Sequence, residues 1–193
     1  MLATAPKARP CEYAPCGRPF IPQRISQKVC GQVCAGRKAK ADRIKEKAEE
    51  KASDRARKEK IKRIPDLIRE AQVIFNRWVR ARDHDQPCIS CGAPPPDLSM
   101  LHAGRDAGHY RSTGSASHLR FHPDNCHAQC VRCNRFGAGR AVDYRIRLIT
   151  RIGAEKVEAL EADNRTHKWQ RGELIATRAE YKAKLKKLKE QQA

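Results

Sequence analysis

The chain has 193 residues, 39% hydrophobic and 5% aromatic, which is too lean for one large core and suits small modules joined by helix. Forty-one Lys and Arg against 22 Asp and Glu leave a formal charge of +19, so nucleic acid is the leading partner and a merely basic, soluble surface the bland alternative. No stretch approaches the ~18 apolar residues of a membrane span, and "MLATAPKARPC" has no apolar run of signal-peptide length, so a cytoplasmic protein with no membrane partner is expected.

Nine cysteines in a reducing compartment argue for metal rather than disulfides. Residues 1–36 contain Cys11, Cys16, Cys30 and Cys34 as C-x4-C and C-x3-C, with Gly17, Pro19, Pro22 and Gly31 supplying turns. A segment this short cannot bury a core, and zinc held by the four thiolates is the natural staple. Residues 37–64 are almost all Ala, Lys, Arg, Glu and Asp, which predicts a solvated, basic helix without a coiled-coil seam. Pro65 interrupts it. Over 65–84, Leu67, Ala71, Ile74, Phe75 and Trp78 recur at three- and four-residue spacings, an amphipathic helix that packs on something.

From 85 to 140 the texture turns to Pro, Gly, Cys and His, with "GAPPPD" and "STGSAS" as loops and short strands between them. Helical spacing returns over 141–193: Val142, Ile146 and Ile149 form one stripe, Gly153 breaks it, and Leu174, Tyr181, Leu185 and Leu188 mark a last Lys-rich helix. The fold expected is α+β, a zinc-stapled core flanked by long helices with a small N-terminal zinc module.

Within the 85–140 segment, "PCISCG" and "QCVRCN" put Cys88, Cys91, Cys130 and Cys133 on two tight knuckles, a four-thiolate zinc site of the zinc-ribbon or treble-clef kind. Four thiolates leave no open position, so this zinc is structural and chemistry must come from residues it positions. His109 is the candidate general base. Asp106 and the amide of Asn134 offer oxygen to a hard cation, Mg2+ or Mn2+, with His127 the next ligand candidate.

The stretches "CISCG", "DAGHY" and "NCHAQCVRCN" resemble the HNH, or ββα-metal, nuclease motif in its zinc-stapled form, similar to phage T4 endonuclease VII. More narrowly, "PCISCG", "DAGHYRST", "LRF", "QCVRCN" and "LITRIG" resemble the lambda phage NinG (Rap) recombination family over nearly the full length. The resemblance implies a structure-selective endonuclease acting on branched DNA, such as displacement loops and Holliday junctions, with a β-hairpin and helix around one divalent cation. By that resemblance His109 is the general base, Asn125 steadies the His-bearing loop, and Asn134 is the final metal ligand. The motif sets an acid immediately before the His, whereas Gly108 stands there and the acid is Asp106. Residues three apart on a strand face opposite ways, so a bulge at Ala107–Gly108 is predicted, bringing Asp106 beside Asn134.

Arg111, Arg120, Arg132, Arg135 and Arg140 are expected to grip phosphate. Cutting both sides of a junction favours a homodimer, and host or phage recombination proteins are further candidate partners. Two other readings stay open: a DNA-binding recombination mediator without cleavage, and an interaction module whose charged helix docks an acidic partner.

Overall fold

The computed structural model of the chain describes residues 7–95 and 104–192; Pro96 and Asp97 of the predicted "GAPPPD" loop lie outside them. It divides into two compact units, Met1–Lys62 and Arg63–Ala193. The amphipathic helix, the cysteine core and the C-terminal helices, read from the sequence as three segments, thus form one unit. The fold is α+β, mostly helical, with two small two-stranded sheets among the described residues.

In the first unit, β1 (Arg9–Pro10) and β2 (Pro19–Phe20) pair antiparallel, with Arg9 opposite Phe20. Helix α1 (Gln32–Ile61) begins inside the cysteine module rather than after it, so Cys34 lies in its first turn. The run of Ala, Lys and Arg after Gly36 extends back to Gln32 because the amide of Ala35 already donates to the Gly31 carbonyl at 3.0 Å. As expected of a polar helix, α1 buries no residue, and it carries same-face ion pairs such as Lys38–Asp42 at 2.9 Å and Lys45–Glu49 at 3.8 Å.

The second unit is built around helix α2 (Ile64–Arg82). Pro65 sits in its first turn, where the missing amide hydrogen costs nothing. The periodicity places Leu67, Ala71, Phe75, Trp78 and Val79 on one buried face. That face meets α5 (Arg171–Gln192), whose Leu174 and Tyr181 are buried while Leu185 and Leu188 pack alongside. Phe75 and Tyr181 meet edge to face at 4.8 Å, and Phe121 joins Trp169 at 4.9 Å. Each such ring contributes about 1.5–3 kcal/mol by leaving water.

The same side of α2 covers a hairpin of β3 (Arg105–His109) and β4 (Cys126–Cys130). Its register runs without interruption: Arg105 opposite Cys130, Asp106 opposite Gln129, Ala107 opposite Ala128, Gly108 opposite His127, His109 opposite Cys126. The predicted bulge at Ala107–Gly108 is therefore absent, since every residue has a single partner. Strand alternation turns Ala107, His109 and Cys126 toward α2. Asp106, Gly108, His127 and Gln129 face the other way, where Tyr144 of α3 (Ala141–Ile152) donates its hydroxyl to the Gly108 carbonyl at 2.9 Å, and α4 (Ala154–Ala162) packs on α3.

Gly153, at φ +91°, separates α3 from α4 as its position predicts. The buried stripe of α3 differs from the aliphatic spacing: Tyr144 and Leu148 are inside, whereas Val142 and Ile146 are 74% and 61% exposed. Tyr144, tied to Gly108 and with its ring tilted 36° against that of Tyr110 at 5.4 Å, sets the rotation of the helix, and the aliphatic stripe turns outward with it.

Candidate metal and catalytic site

The two cysteine quartets pair as the spacing predicts. Cys11, Cys16, Cys30 and Cys34, and separately Cys88, Cys91, Cys130 and Cys133, bring their sulfurs within 4.8 Å of one another. None is in a disulfide. A tetrahedral zinc with Zn–S near 2.3 Å sets its sulfurs about 3.8 Å apart. The observed Cys16–Cys30, Cys30–Cys34 and Cys91–Cys130 separations of 3.7, 3.6 and 3.8 Å fit that figure. Backbone amides also point at the sulfurs, Cys30 N to Cys11 Sγ at 3.4 Å and Cys130 N to Cys88 Sγ at 3.3 Å, which suits thiolates. Each quartet can hold one zinc ion. Cys126, the ninth cysteine, is fully buried against α2, and burial pushes its thiol up, so it is a core residue.

The second knuckle fixes the turn after β4. The Gly139 amide donates to Cys133 O at 3.0 Å, while the Gly139 carbonyl accepts from Ser90 Oγ at 2.9 Å and Gln129 Nε2 at 2.7 Å. Ala138, Gly139 and Arg140 all carry left-handed φ, +47°, +78° and +51°. For Ala and Arg that costs about 1–2 kcal/mol each.

This turn delivers Asn134 to Asp106: Asn134 Nδ2 donates to Asp106 Oδ2 at 2.9 Å. The predicted neighbours thus meet, without a bulge. Arg135 closes the same carboxylate with a two-pronged contact of 2.8 and 2.9 Å, and its guanidinium, helped by the Asn134 amide and against the opposing effect of burial, lowers the Asp106 carboxyl below the usual range. Opposite Asp106, Gln129 is buried with its Oε1 unpaired. A Cβ on residue 108 would overlap that oxygen and lie 3.0 Å from Gln129 Cδ. Gly108 is therefore a space requirement and not a hinge. The Asp106 carboxylate and the Asn134 amide are oxygen-bearing groups of the kind a hard cation takes, and both carboxylate oxygens are engaged by Arg135 and Asn134 Nδ2.

His109 faces the other way. Its ring stacks on Phe75, centroids 6.2 Å apart, and Nε2 lies 2.9 Å from the Arg120 carbonyl. Burial lowers His109 below the ordinary imidazole value despite that hydrogen bond. It is neutral at pH 7, and because a carbonyl only accepts, the proton sits on Nε2 and Nδ1 keeps a lone pair. Nδ1 has no hydrogen-bond partner among the described residues. Among the described residues, His109 and the Asp106–Asn134 corner lie on opposite faces of β3. Parity supplies the reason: Asp106 shares its face with residue 108, the motif's ligand position, and His109 ends the strand.

Asn125, completely buried, clamps the loop after His109. Its Oδ1 accepts from Arg111 N at 2.8 Å, and Nδ2 donates to the carbonyls of Arg111 and Leu119 at 3.0 and 3.1 Å. His127 has other work. Nδ1 meets Arg82 at 3.0 Å and Asp83 at 3.5 Å, and Nε2 lies 3.3 Å from the Asp124 carbonyl. With both nitrogens engaged, it anchors the end of α2 and is not a cation ligand. Asp83 is the hub there. Burial opposes its charge, yet His127, Arg82 and the Ala128 amide hold the carboxyl well below the usual range.

The arginines divide. The Arg111 guanidinium donates to the carbonyls of Leu160 at 2.8 Å and Glu161 at 3.3 Å and to Asn164 at 2.9 Å, capping the end of α4. Arg120 turns inward to Gln72 at 3.3 Å, and burial lowers it. Neither is free to grip phosphate. Arg132, Arg135 and Arg140 are exposed on the knuckle side, where Arg140 and Arg147 line a cleft of about 410 Å³ with Ser90 and Cys91. Arg147, Gln129 and Asp83 carry no motif, and only Gln129, inside "NCHAQC", had a local signal that could have singled it out.

The class these features define is an α+β protein with two four-cysteine knuckles able to hold zinc, whose hairpin carries a half-buried His109 next to the loop that Asn125 clamps and an Asp–Asn corner closed by the exposed Arg135. Residues 3–191 match the model of the family described as Bacteriophage Lambda NinG protein. The chain is 38% identical to "Protein ninG" of Escherichia phage lambda over 203 residues, 97% of each chain. It is 38% identical to that of Salmonella phage P22 over 197 residues, 94% of each. To that of Escherichia phage 933W it is 45% identical over 122 residues, 63% of this chain and 58% of the other. The chain belongs to the NinG family. No solved structure matches it. No helix among the described residues is long and apolar enough to cross a membrane.

Proposed function

We propose that this protein is a metal-dependent endonuclease of the HNH type that hydrolyses phosphodiesters in branched DNA during phage recombination. The observation that carries the reading is the hydrogen bonding of His109: Nε2 is committed to the Arg120 carbonyl, which leaves Nδ1 as the unprotonated nitrogen of a neutral imidazole. Asn125, clamping the next loop, keeps the ring in place.

In the proposed step His109 Nδ1 takes a proton from water as its oxygen bonds to phosphorus. The P–O3′ bond breaks, the 3′ oxygen takes a proton from solvent, and the products carry 5′ phosphate and 3′ hydroxyl. Asp106 and Asn134, on the face of β3 opposite the His109 ring, would hold the divalent cation, Mg2+ or Mn2+, so the step requires the scissile phosphate to lie across the end of β3 at His109, with Arg135 swinging from Asp106 toward phosphate. When bound, that cation supplies charge stabilisation at the phosphoryl and departing oxygens. Arg132, Arg140 and Arg147 supply backbone contacts.

A second reading, a DNA-binding mediator without cleavage, is favoured by one observation: the Arg135 guanidinium already satisfies the Asp106 carboxylate. Cleavage of a labelled four-way junction and a linear duplex, with Mg2+, Mn2+ or EDTA, decides between them. Metal-dependent nicking of the junction that Asn134→Ala abolishes supports the nuclease. Tight binding without cuts under either metal selects the mediator.

A further inference from the structure

All four Phe, four Tyr and two Trp of the chain lie among the described residues, and Phe136 alone is exposed, at 82%. Phe75, Trp78, Phe121, Tyr144 and Tyr181 are core. A large apolar ring left in water on a small protein loses the stabilisation that burial would give, and here nothing in the fold compensates for it.

Its surroundings are basic. Phe136 lines a cleft of about 300 Å³ with Arg132, Cys133, Gly137 and Arg140. Arg135 precedes it, paired with Asp106, and Arg140 pairs with Asp143 at 2.9 Å. Arg132 has no carboxylate partner among the described residues. The ring stands on a rigid support: a wide helical turn, Arg132–Phe136, that begins in the knuckle and contains Cys133. Gly137 follows it because a Cβ there would lie 3.0 Å from the Cys133 carbonyl. The left-handed Ala138–Arg140 turn, pinned by Ser90 and Gln129, then closes the segment.

We infer that Phe136 is a stacking platform for an unpaired nucleobase, placed two residues beyond Asn134 so that the stacked base sets which phosphate reaches the Asp106–Asn134 corner. The inference rests on the nucleic-acid reading above. Charge complementarity names the occupant: a ring flanked by arginines matches a base flanked by phosphates, and a protein partner would gain little from the cations. The same geometry explains structural selectivity. Entering an intact duplex requires unstacking a base step, whereas the branch point of a junction already exposes a base face.

The test uses a four-way junction and a linear duplex, each carrying one 2-aminopurine, at the branch point in the junction. Full-length wild type is expected to change the branch-point fluorescence. Phe136→Ala should lose that change and weaken junction binding by about 5- to 150-fold, the range for one lost base–aromatic stack, with duplex binding unchanged. Phe136→Trp should keep both properties and Phe136→Leu should not. Equal losses on junction and duplex, or no loss on either, overturn the platform while leaving DNA binding intact. Failure of wild type to bind either DNA overturns the nucleic-acid reading itself. An exposed side chain leaves the fold in place, which unchanged thermal melting and zinc content verify.

Discussion

Gly108→Ala separates two roles for a glycine beside the candidate base: freedom to bulge, or room for a neighbour. The uninterrupted register around Gly108 excludes the bulge, and a Cβ there would overlap Gln129 Oε1. Gln129 has no solvent to retreat into and is held by bonds to Ser90 Oγ at 2.6 Å and Gly139 O at 2.7 Å. Losing two such bonds at about 1 kcal/mol each, plus overpacking of at least about 1 kcal/mol, gives a cost near 3 kcal/mol. For a unit of this size that lowers Tm by roughly 10 °C. Both tryptophans lie in the second unit, so their emission during urea unfolding of the zinc-loaded protein reports on it. In a Gln129→Ala background the same substitution should cost about 1 kcal/mol or less, because only the Cβ of residue 129, 3.1 Å away, must still shift. An equal cost in both backgrounds, or less than about 0.5 kcal/mol in the wild type, would refute the packing explanation and restore backbone freedom as the reason for the glycine.

Asn125→Ala removes three hydrogen bonds made by a buried amide to the loop after His109 and is expected to destabilise the second unit by about 2–4 kcal/mol; an unchanged urea midpoint would contradict the clamp. His109 and His127 both sit below the ordinary imidazole value, chiefly through burial. Each takes its proton more readily when unfolded, so stability is full above the unfolded value of about 6.5 and falls as pH drops below it. Melting curves from about pH 8 to 5, with zinc retention followed in parallel, should slope that way; a flat profile refutes it. Metal analysis should find two zinc ions per chain, with Cys11→Ser and Cys88→Ser each losing one and keeping the other, because the quartets lie in separate units. Loss of both from either change would show that the sites depend on each other.

The cysteine quartets, the amphipathic α2 and the break at Gly153 were legible because each rests on local spacing or on chemistry with few alternatives. The helix start at Gln32 was not, since a ligand in the first helical turn looks the same in sequence as one in a loop. Side-chain direction was least legible. The exposed Val142 and Ile146, the inward Arg111 and Arg120, and the occupied His127 all depend on partners distant in the chain: Gly108, the end of α4, Gln72 and Asp83. The Asp106–Asn134 meeting was anticipated, but through a bulge that the strand does not need. Phe136 carries no signal in the sequence, because exposure is a property of the fold and not of the residue.

The most direct measurement is single-turnover cleavage of a labelled four-way junction by wild type and His109→Ala, with junction affinity determined on the same preparations. If His109 is the base, the variant binds as wild type does and cleaves about 10² to 10⁴ times more slowly. Cleavage at the wild-type rate by His109→Ala would contradict the proposed mechanism.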